Sequence, residues 1–246
     1  MPVERANKTD LAFILAWLEE EFDPEEGVGF YGNRRIIEQS LEWETLWVVR
    51  TKGKAVAFQV GNYSADIVVV HKEFQRQGLG SKLFDASLAR AFRDNVNLLD
   101  GECNPRSSFE YWKSKGFEPI ADPIPESGGI PVRKVLDRHY ELPEESKIVT
   151  VEVNFFNHAA GYDSSKLAEP IRTLVIDAAM VSEDNFRLSQ RVIGIELWNP
   201  NGRLLIEINI ENRGIFRVEG RSNEAEAIGI LYDRHGGTYY FDEIKL

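Results

Sequence analysis

Apolar and polar positions follow two different periods along this chain, and the change falls near residue 147. Residues 8–22, KTDLAFILAWLEEEF, place apolar side chains at three- and four-residue intervals, which predicts a helix capped by Thr9 or Asp10. The stretch 23–34, DPEEGVGFYGNR, is dense in turn formers and reads as a loop. Asn33 then caps a second short helix, RRIIEQSLEW. Two alternating runs follow, TLWVVR and AVAFQVG, and Gly53 between them suits a hairpin turn joining antiparallel strands. The run 65–70, ADIVVV, is β-branched and nearly continuous in apolar residues, so burial on both faces is expected. Beyond a glycine-rich loop, Leu83, Phe84, Leu88 and Phe92 recur at helical spacing. VNLLDGEC then reads as a strand and PRSSFEYWKSK as a helix ended by Gly116. This order predicts a mixed α/β layer over residues 1–142.

Between Ile120 and Lys147 the pattern loosens: ADPIPESGGIP is turn-rich, RKVLDRHYEL is strand-like and PEESK has the composition of a linker. From Ile148 onward helical periodicity nearly vanishes. IVTVEVNFF, TLVIDA, RVIGIELW, RLLIEINI and GIFRVEG are strand candidates, with a hairpin turn at Asn199-Pro200-Asn201-Gly202. Only SNEAEAIGI suggests a short helix. Strands at this spacing predict a smaller, mostly antiparallel β domain over 147–246, either a sandwich or an open barrel.

Composition narrows the classes of function. Hydrophobic residues make up 43% and charged residues 28% of 246, as in soluble globular proteins. No run approaches the roughly 20 apolar residues of a membrane span. Glu4, Lys8 and Asp10 interrupt any leader-like pattern, so a cytoplasmic setting is expected. The single Cys103 has no partner for an internal disulfide, which agrees with a reducing compartment. The net charge is −11, and the parts on either side of Ser146 are both acidic. Nucleic acid is therefore a poor partner, because phosphate binding rests on Lys and Arg. An acidic surface serves solubility and also tolerates a cationic amine. His139, His158 and His235 are too scattered for a metal pattern, and no metal is expected. Asp177, Glu183 and Asp184 offer calcium-type oxygens, but scattered surface acids are far commoner.

The loop Gln75-Arg76-Gln77-Gly78-Leu79-Gly80 lies between a predicted strand and a predicted helix. Such a turn can cradle a pyrophosphate, since the first backbone N–H groups of a helix have no intrahelical partner and the dipole favours an anion. Gly78 and Gly80 would let those amides approach closely, and Arg76 adds a cation. A dinucleotide fingerprint would need a third glycine where Ser81-Lys82-Leu83 stands. An ATP-type loop needs Gly-Lys before Ser or Thr, and Gly80-Ser81-Lys82 has the wrong order.

QRQGLG after an apolar strand, followed by FEYWKSKGF, resembles the GNAT superfamily of N-acyltransferases over residues 1 to about 142. Gln75–Gly80 match that family's Gln/Arg-x-x-Gly-x-Gly/Ala at every defined position, and Trp112 to Gly116-Phe117 fit its later aromatic-x-x-x-Gly-Phe. The resemblance implies a centrally splayed sheet whose fourth and fifth strands, here ADIVVV and NLLDGEC, open around acetyl-CoA or another short acyl-CoA. It implies that the backbone of Val68, Val69 and Val70 bonds the pantetheine arm. Amides from Arg76 to Ser81, hence Gln77, Gly78, Leu79 and Gly80, would hold the pyrophosphate. An N–H of Val69 or Val70 would face the oxyanion. The acceptor, a small-molecule or peptide amine, would meet the loop around residues 23–34, with Phe30 and Tyr31 lining a slot and Glu25 and Glu26 attracting an ammonium group.

Acyl transfer also needs a base for the amine and, for the leaving thiolate, an acid. Asp100 and Glu102 share one face of their strand by two-residue spacing and are the candidate bases, with Asp66 behind them. Either they act, or they are solvated acids at a strand end. The family's usual tyrosine position holds Trp112, whose indole cannot donate a proton usefully, and Tyr111 stands beside it. Tyr111 serves through a local shift, or the thiolate leaves unprotonated. Cys103 reads as a buried, inert thiol, although His71 ends the neighbouring strand. A non-catalytic acyl-CoA-binding module is the alternative function. The β domain is left open as a homodimer surface, a protein-partner surface or a specificity element.

Overall fold

The structure, a computed structural model, describes residues 1–23, 29–63, 67–120, 123–157, 169–195, 204–211, 213–234 and 237–246. The chain forms two compact units, Met1–Lys134 and Val135–Leu246. No helix among the described residues is long and apolar enough to cross a membrane. Glu25, Glu26, Asp66, His158, His235 and the turn at 199–202 lie outside the described residues.

The first unit begins with β1 (Val3–Arg5) and α1 (Lys8–Glu21). The cap of α1 is Asn7, not Thr9 or Asp10: its side chain accepts from Thr9 N–H and Asp10 N–H at 2.8 and 3.1 Å. Asp10 completes a capping box by accepting from Asn7 N–H, at 2.8 Å. Ile14, Trp17 and Leu18 on α1 are buried at the spacing that turns one helical stripe inward. After a 3₁₀ turn (Phe30–Asn33), α2 (Arg34–Glu42) adds Ile37 to the same core. Asn33 occupies the cap position of α2, but its side chain makes no capping bond.

Next come β2 (Leu46–Thr51) and β3 (Lys54–Val60), paired antiparallel through a turn in which Lys52 and Gly53 have φ of 51° and 80°. Two successive positive φ values match the right-handed twist of a hairpin. β4 (Ile67–Val70) closes a sheet of order β1-β2-β3-β4. α1 and α2 cover one face, where Phe58 meets Trp17, and α3 (Leu79–Arg93) covers the other with Leu79 and Leu83. The remaining strands form a separate sheet of order β5-β7-β6, from β5 (Leu98–Cys103), β6 (Glu118–Pro119) and β7 (Ile130–Val135). α4 (Phe109–Ser114) lies between β5 and β6 in the chain. β4 is thus an edge strand in which Ile67 and Val69 are buried and Val68 and Val70 are half-buried. The expected burial on both faces holds only in part: Val68 and Val70 pack against the cluster of Leu79 and Leu83 but stay half-buried.

The second unit is one antiparallel sheet of order β12-β11-β8-β9-β10-β14-β13, curled into a half-barrel. Its strands are β8 (Lys147–Asn157), β9 (Arg172–Ser182), β10 (Asn185–Ile195), β11 (Leu204–Ile210), β12 (Gly214–Glu219), β13 (Leu231–Asp233) and β14 (Thr238–Lys245). Of the two predicted architectures the sandwich is set aside, since all seven strands belong to a single ladder. Val149, Val151, Val153 and Phe155 line one face by period-two alternation and meet Ile206, Ile208, Phe186 and Phe241. The short helix predicted within SNEAEAIGI is α5 (Asn223–Ala227), whose Ala225 enters this core. The strand expected in RKVLDRHYEL ends at Val135; His139 instead forms an isolated bridge to Gln190.

Candidate functional site

β4 runs out at Val70, and the chain turns through His71 and a 3₁₀ turn (Lys72–Phe74) into the loop Gln75–Gly78 and then α3. His71 N–H bonds Val56 O at 2.9 Å, which fixes the alternation along β4. Residues of odd number turn their backbone groups toward β3, so those of Val68 and Val70 face the open edge. Gln75 Nε2 confirms this direction by donating to Val70 O at 3.1 Å. Val69 N–H is therefore directed into the ladder, and only Val70 of the expected pair presents an outward amide.

Gly78 stands at the N-cap of α3 with φ of 77°, and no side chain caps the helix. The first bond into the helix is from Lys82 N–H to Gly78 O, at 3.0 Å. The N–H groups of Leu79, Gly80 and Ser81 precede that bond and have no partner within the helix. Arg76 also has a left-handed backbone, φ 59°, and Arg76, Gln77 and Gly78 are exposed. Gln77 Nε2 ties the loop down by donating to Glu73 O at 3.3 Å. The two glycines differ. Gly78 is required by its backbone, whereas Gly80 has an ordinary helical one, with Tyr111 Oη and Val70 Cγ2 at 3.7 and 3.9 Å from where a Cβ would be.

The start of the loop is anchored on α1. Glu21 Oε1 accepts from Lys72 N–H at 3.0 Å, and the ring of Trp17 meets the edge of His71 at 5.2 Å. Trp17 and Glu21 are four residues apart and so share a helix face. Phe30 and Tyr31 sit at the same end of α1: Tyr31 packs on Phe22 at 6.0 Å and donates to Glu19 Oε1 at 3.1 Å. That hydrogen bond raises the phenol of Tyr31 above its usual range. Trp17 and Glu21 had no place among the sequence candidates, because a position on an amphipathic helix carries no sign of a role at a loop, and His71 was considered only beside Cys103.

Tyr111 is the aromatic that reaches this loop. Its hydroxyl lies 3.5 Å from Ser81 Oγ, at the first turn of α3. Trp112 points the other way, 8% exposed, with Phe84 and Phe117 at 5.8 and 5.3 Å. The rotation of about 100° per helical residue thus buries the indole and leaves the phenol beside Gly80 and Ser81.

Asp100 and Glu102 are exposed on one face of β5. Glu102 folds over Gly129, where an added Cβ would fall 1.9 Å from Oε1. Asp100 is an electrostatic neighbour of Arg133; burial pulls that guanidinium down, opposed by Asp100 and Glu118. Cys103 is fully buried, and burial pushes its thiol up, so it stays protonated. His71 does not approach it: its ring contacts Trp17 and Phe74, and Nδ1 accepts from Glu73 N–H at 3.2 Å. Among the described residues no His, Cys, Asp and Glu side chains gather as a metal cluster.

A sheet edge, a left-handed glycine and an uncapped helix start thus meet at the loop Gln75–Gly80. Residues 42–119 match the family model described as the acetyltransferase (GNAT) domain. Similar solved structures cover just over half of this chain. Ard1 from Thermoplasma volcanium is 16% identical, with a TM-score of 0.41 over 55% of this chain and 96% of its own. Rv2747 from Mycobacterium tuberculosis, in complex with CoA and NLQ, is 16% identical, with a TM-score of 0.43 over 55% and 99%. PaiA N-acetyltransferase from Thermoplasma acidophilum, in complex with coenzyme A, is 10% identical, with a TM-score of 0.43 over 55% and 98%. No curated protein matches the sequence.

Proposed function

We propose that the first unit transfers an acetyl or other short acyl group from acyl-CoA directly to a primary amine of a small molecule or peptide, in the cytoplasm. The observation that carries this reading is the exposed, uncapped start of α3, next to the open edge of β4 and the hydroxyl of Tyr111. The amides of Arg76–Ser81 hold the pyrophosphate, with Gln75 and Gln77 bracing the loop through their bonds to Val70 and Glu73. Val68 and Val70 offer outward backbone groups to the pantetheine arm, which adds to the sheet edge as a strand would.

The amine must lose a proton before or during attack. Asp100 or Glu102, both solvent-exposed on β5, takes it through water. Val70 N–H stabilises the oxyanion of the tetrahedral intermediate. As the C–S bond breaks, Tyr111 supplies a proton to the thiolate, and the free thiol of CoA leaves. Phe30 and Tyr31 contribute the acceptor side, from the 3₁₀ turn packed against the end of α1. No metal takes part. The division of labour proposed is transfer by residues 1–142 and a separate role for 147–246, in partner binding, dimerisation or specificity.

Calorimetry with CoA and acetyl-CoA, together with thiol release against a panel of amines, tests this reading. Binding of both, with thiol released only when an accepted amine is present, is the expected result. Absence of binding would sink it. Tight binding with no thiol released across the panel would leave the acyl-CoA-binding module instead.

A further inference from the structure

α2 carries two apolar stripes, and only one of them is used inside the first unit. Ile37 is buried, and Leu41, one helical turn on, packs against the same core. Ile36 and Trp43 form the other stripe, since seven residues bring them to within about 20° of each other around the helix. They are 50% and 68% exposed. Trp43 continues the helical turn, as its N–H bonds Gln39 O at 2.9 Å. It is the most exposed large apolar side chain among the described residues. A tryptophan beside an aliphatic residue is the composition of an interface centre rather than of a solvated face.

The charges of α2 run against its own dipole. Arg34 and Arg35 occupy the first turn and Glu38 and Glu42 follow, with no acid in the first turn and no base in the last. The opposite arrangement stabilises a helix, and α3 has part of it in Arg90 and Arg93 of its last turn. Arg34 is used locally, over the ring of Tyr31 at 5.5 Å. Arg35 and Glu42 are exposed and form no ion pair with another described residue. Seven residues apart, they flank the Ile36–Trp43 stripe on the same side. A second α2 laid antiparallel about a two-fold axis near Gln39 meets both needs. It sets Ile36 against Trp43 of the partner subunit, and Arg35 against Glu42 of the partner subunit. The two-fold repeats each contact, and the two helix dipoles then oppose each other favourably.

We propose that two copies of this chain associate through α2, antiparallel, with Trp43 and Ile36 at the centre and Arg35–Glu42 pairs at the side. One short helix from each copy falls below the area of a stable interface, so the dimer is weak and depends on concentration. No residue of α2 belongs to the proposed acyl-CoA site, and the test uses no CoA.

Sedimentation velocity on the full chain, from about 5 to about 500 µM, reads the association. The parent should pass from monomer toward dimer across that range, and Trp43→Gln should raise the midpoint about tenfold. Arg35→Glu and Glu42→Arg each set like charges opposite one another and should weaken the dimer in the same direction. All three positions are exposed, and circular dichroism checks that the fold is kept. An equimolar mixture of Arg35→Glu and Glu42→Arg chains restores opposite charge at both contacts. The mixture should therefore associate as the parent does, while each variant alone does not. A parent that stays monomeric throughout overturns the proposal, whether a different protein or the second unit covers the stripe. A dimer untouched by Trp43→Gln overturns it as well, as does a mixture that associates no better than its components.

Discussion

The two units use β-structure in opposite ways. The second keeps seven strands in one sheet, with register shifts along β10 and its core on one face. The first breaks its strands into groups of four and three, and leaves β4 and β5 as edges. A continuous ladder consumes its backbone groups internally, whereas a broken one keeps N–H and C=O groups for something else. Open edges are ordinarily a hazard. Here β4 is only four residues long, and Gln75 covers one of its outward carbonyls. The difference therefore separates a unit whose sheet is split from one whose strands all share a single sheet.

The largest effect that would sharpen this contrast is expected at Trp112. Trp112→Ala removes a buried ring from the cluster with Phe84 and Phe117 and should cost about 3–5 kcal/mol. Chemical denaturation should then show the first unit unfolding early while the second unit's transition stays put. One merged, shifted transition would show that the units do not fold separately.

Tyr111→Phe comes next, because it removes only a hydroxyl. Thiol release should fall about 100-fold, or about 2.7 kcal/mol, with CoA affinity held within a few-fold. Loss of binding without loss of turnover would instead make the hydroxyl a part of the cofactor cradle.

In the second unit, Arg191→Met strips Asp242 of its paired charge and should cost about 2 kcal/mol, with that carboxylate a third exposed. Burial pushes the Asp242 carboxyl up, but hydrogen bonds from Arg191 and Tyr140 outweigh it and hold it below its usual range. A depressed folded pKa contributes stability that is present above the unfolded value and lost as pH falls through the folded one. Acid titration of stability should therefore be flatter in Arg191→Met than in the parent below about pH 4. Equal slopes would move the acid sensitivity elsewhere.

The smallest effects are the most discriminating. Gly78→Ala forces a Cβ into a left-handed backbone and should destabilise by about 1–2 kcal/mol. Gly80→Ala meets no such barrier and should stabilise α3 by about 0.5–1 kcal/mol. If the loop binds pyrophosphate, Gly80→Ala should still weaken CoA by about tenfold, read by calorimetry. A variant that is more stable and binds CoA unchanged would remove Gly80 from the site.

Much of the fold was legible because its signals are local. Helical stripes in α1 and α3, the Lys52-Gly53 turn and the glycine loop ahead of α3 are all set by neighbours within a few residues. β14 was missed, although it lies between β10 and β13 in the sheet. TYYFDEIK mixes charged and aromatic residues, and only its neighbours show which positions are covered. The edge position of β4 was hidden for the complementary reason: a run of valines looks the same at the edge of a sheet as at its centre.

By itself the sequence determined the loop, its two glycines and the helix behind it, since backbone conformation there follows from residue type. It could not decide which aromatic of the Tyr111-Trp112 pair faces that loop. That choice depends on Phe84 and Phe117, whose packing claims the larger ring and turns the phenol toward Ser81. Nor could it choose between Val69 and Val70 as outward donors, which the register of β4 on β3 settles through His71 and Val56. Local chemistry is written in the chain one residue at a time, and direction is decided by what packs against it.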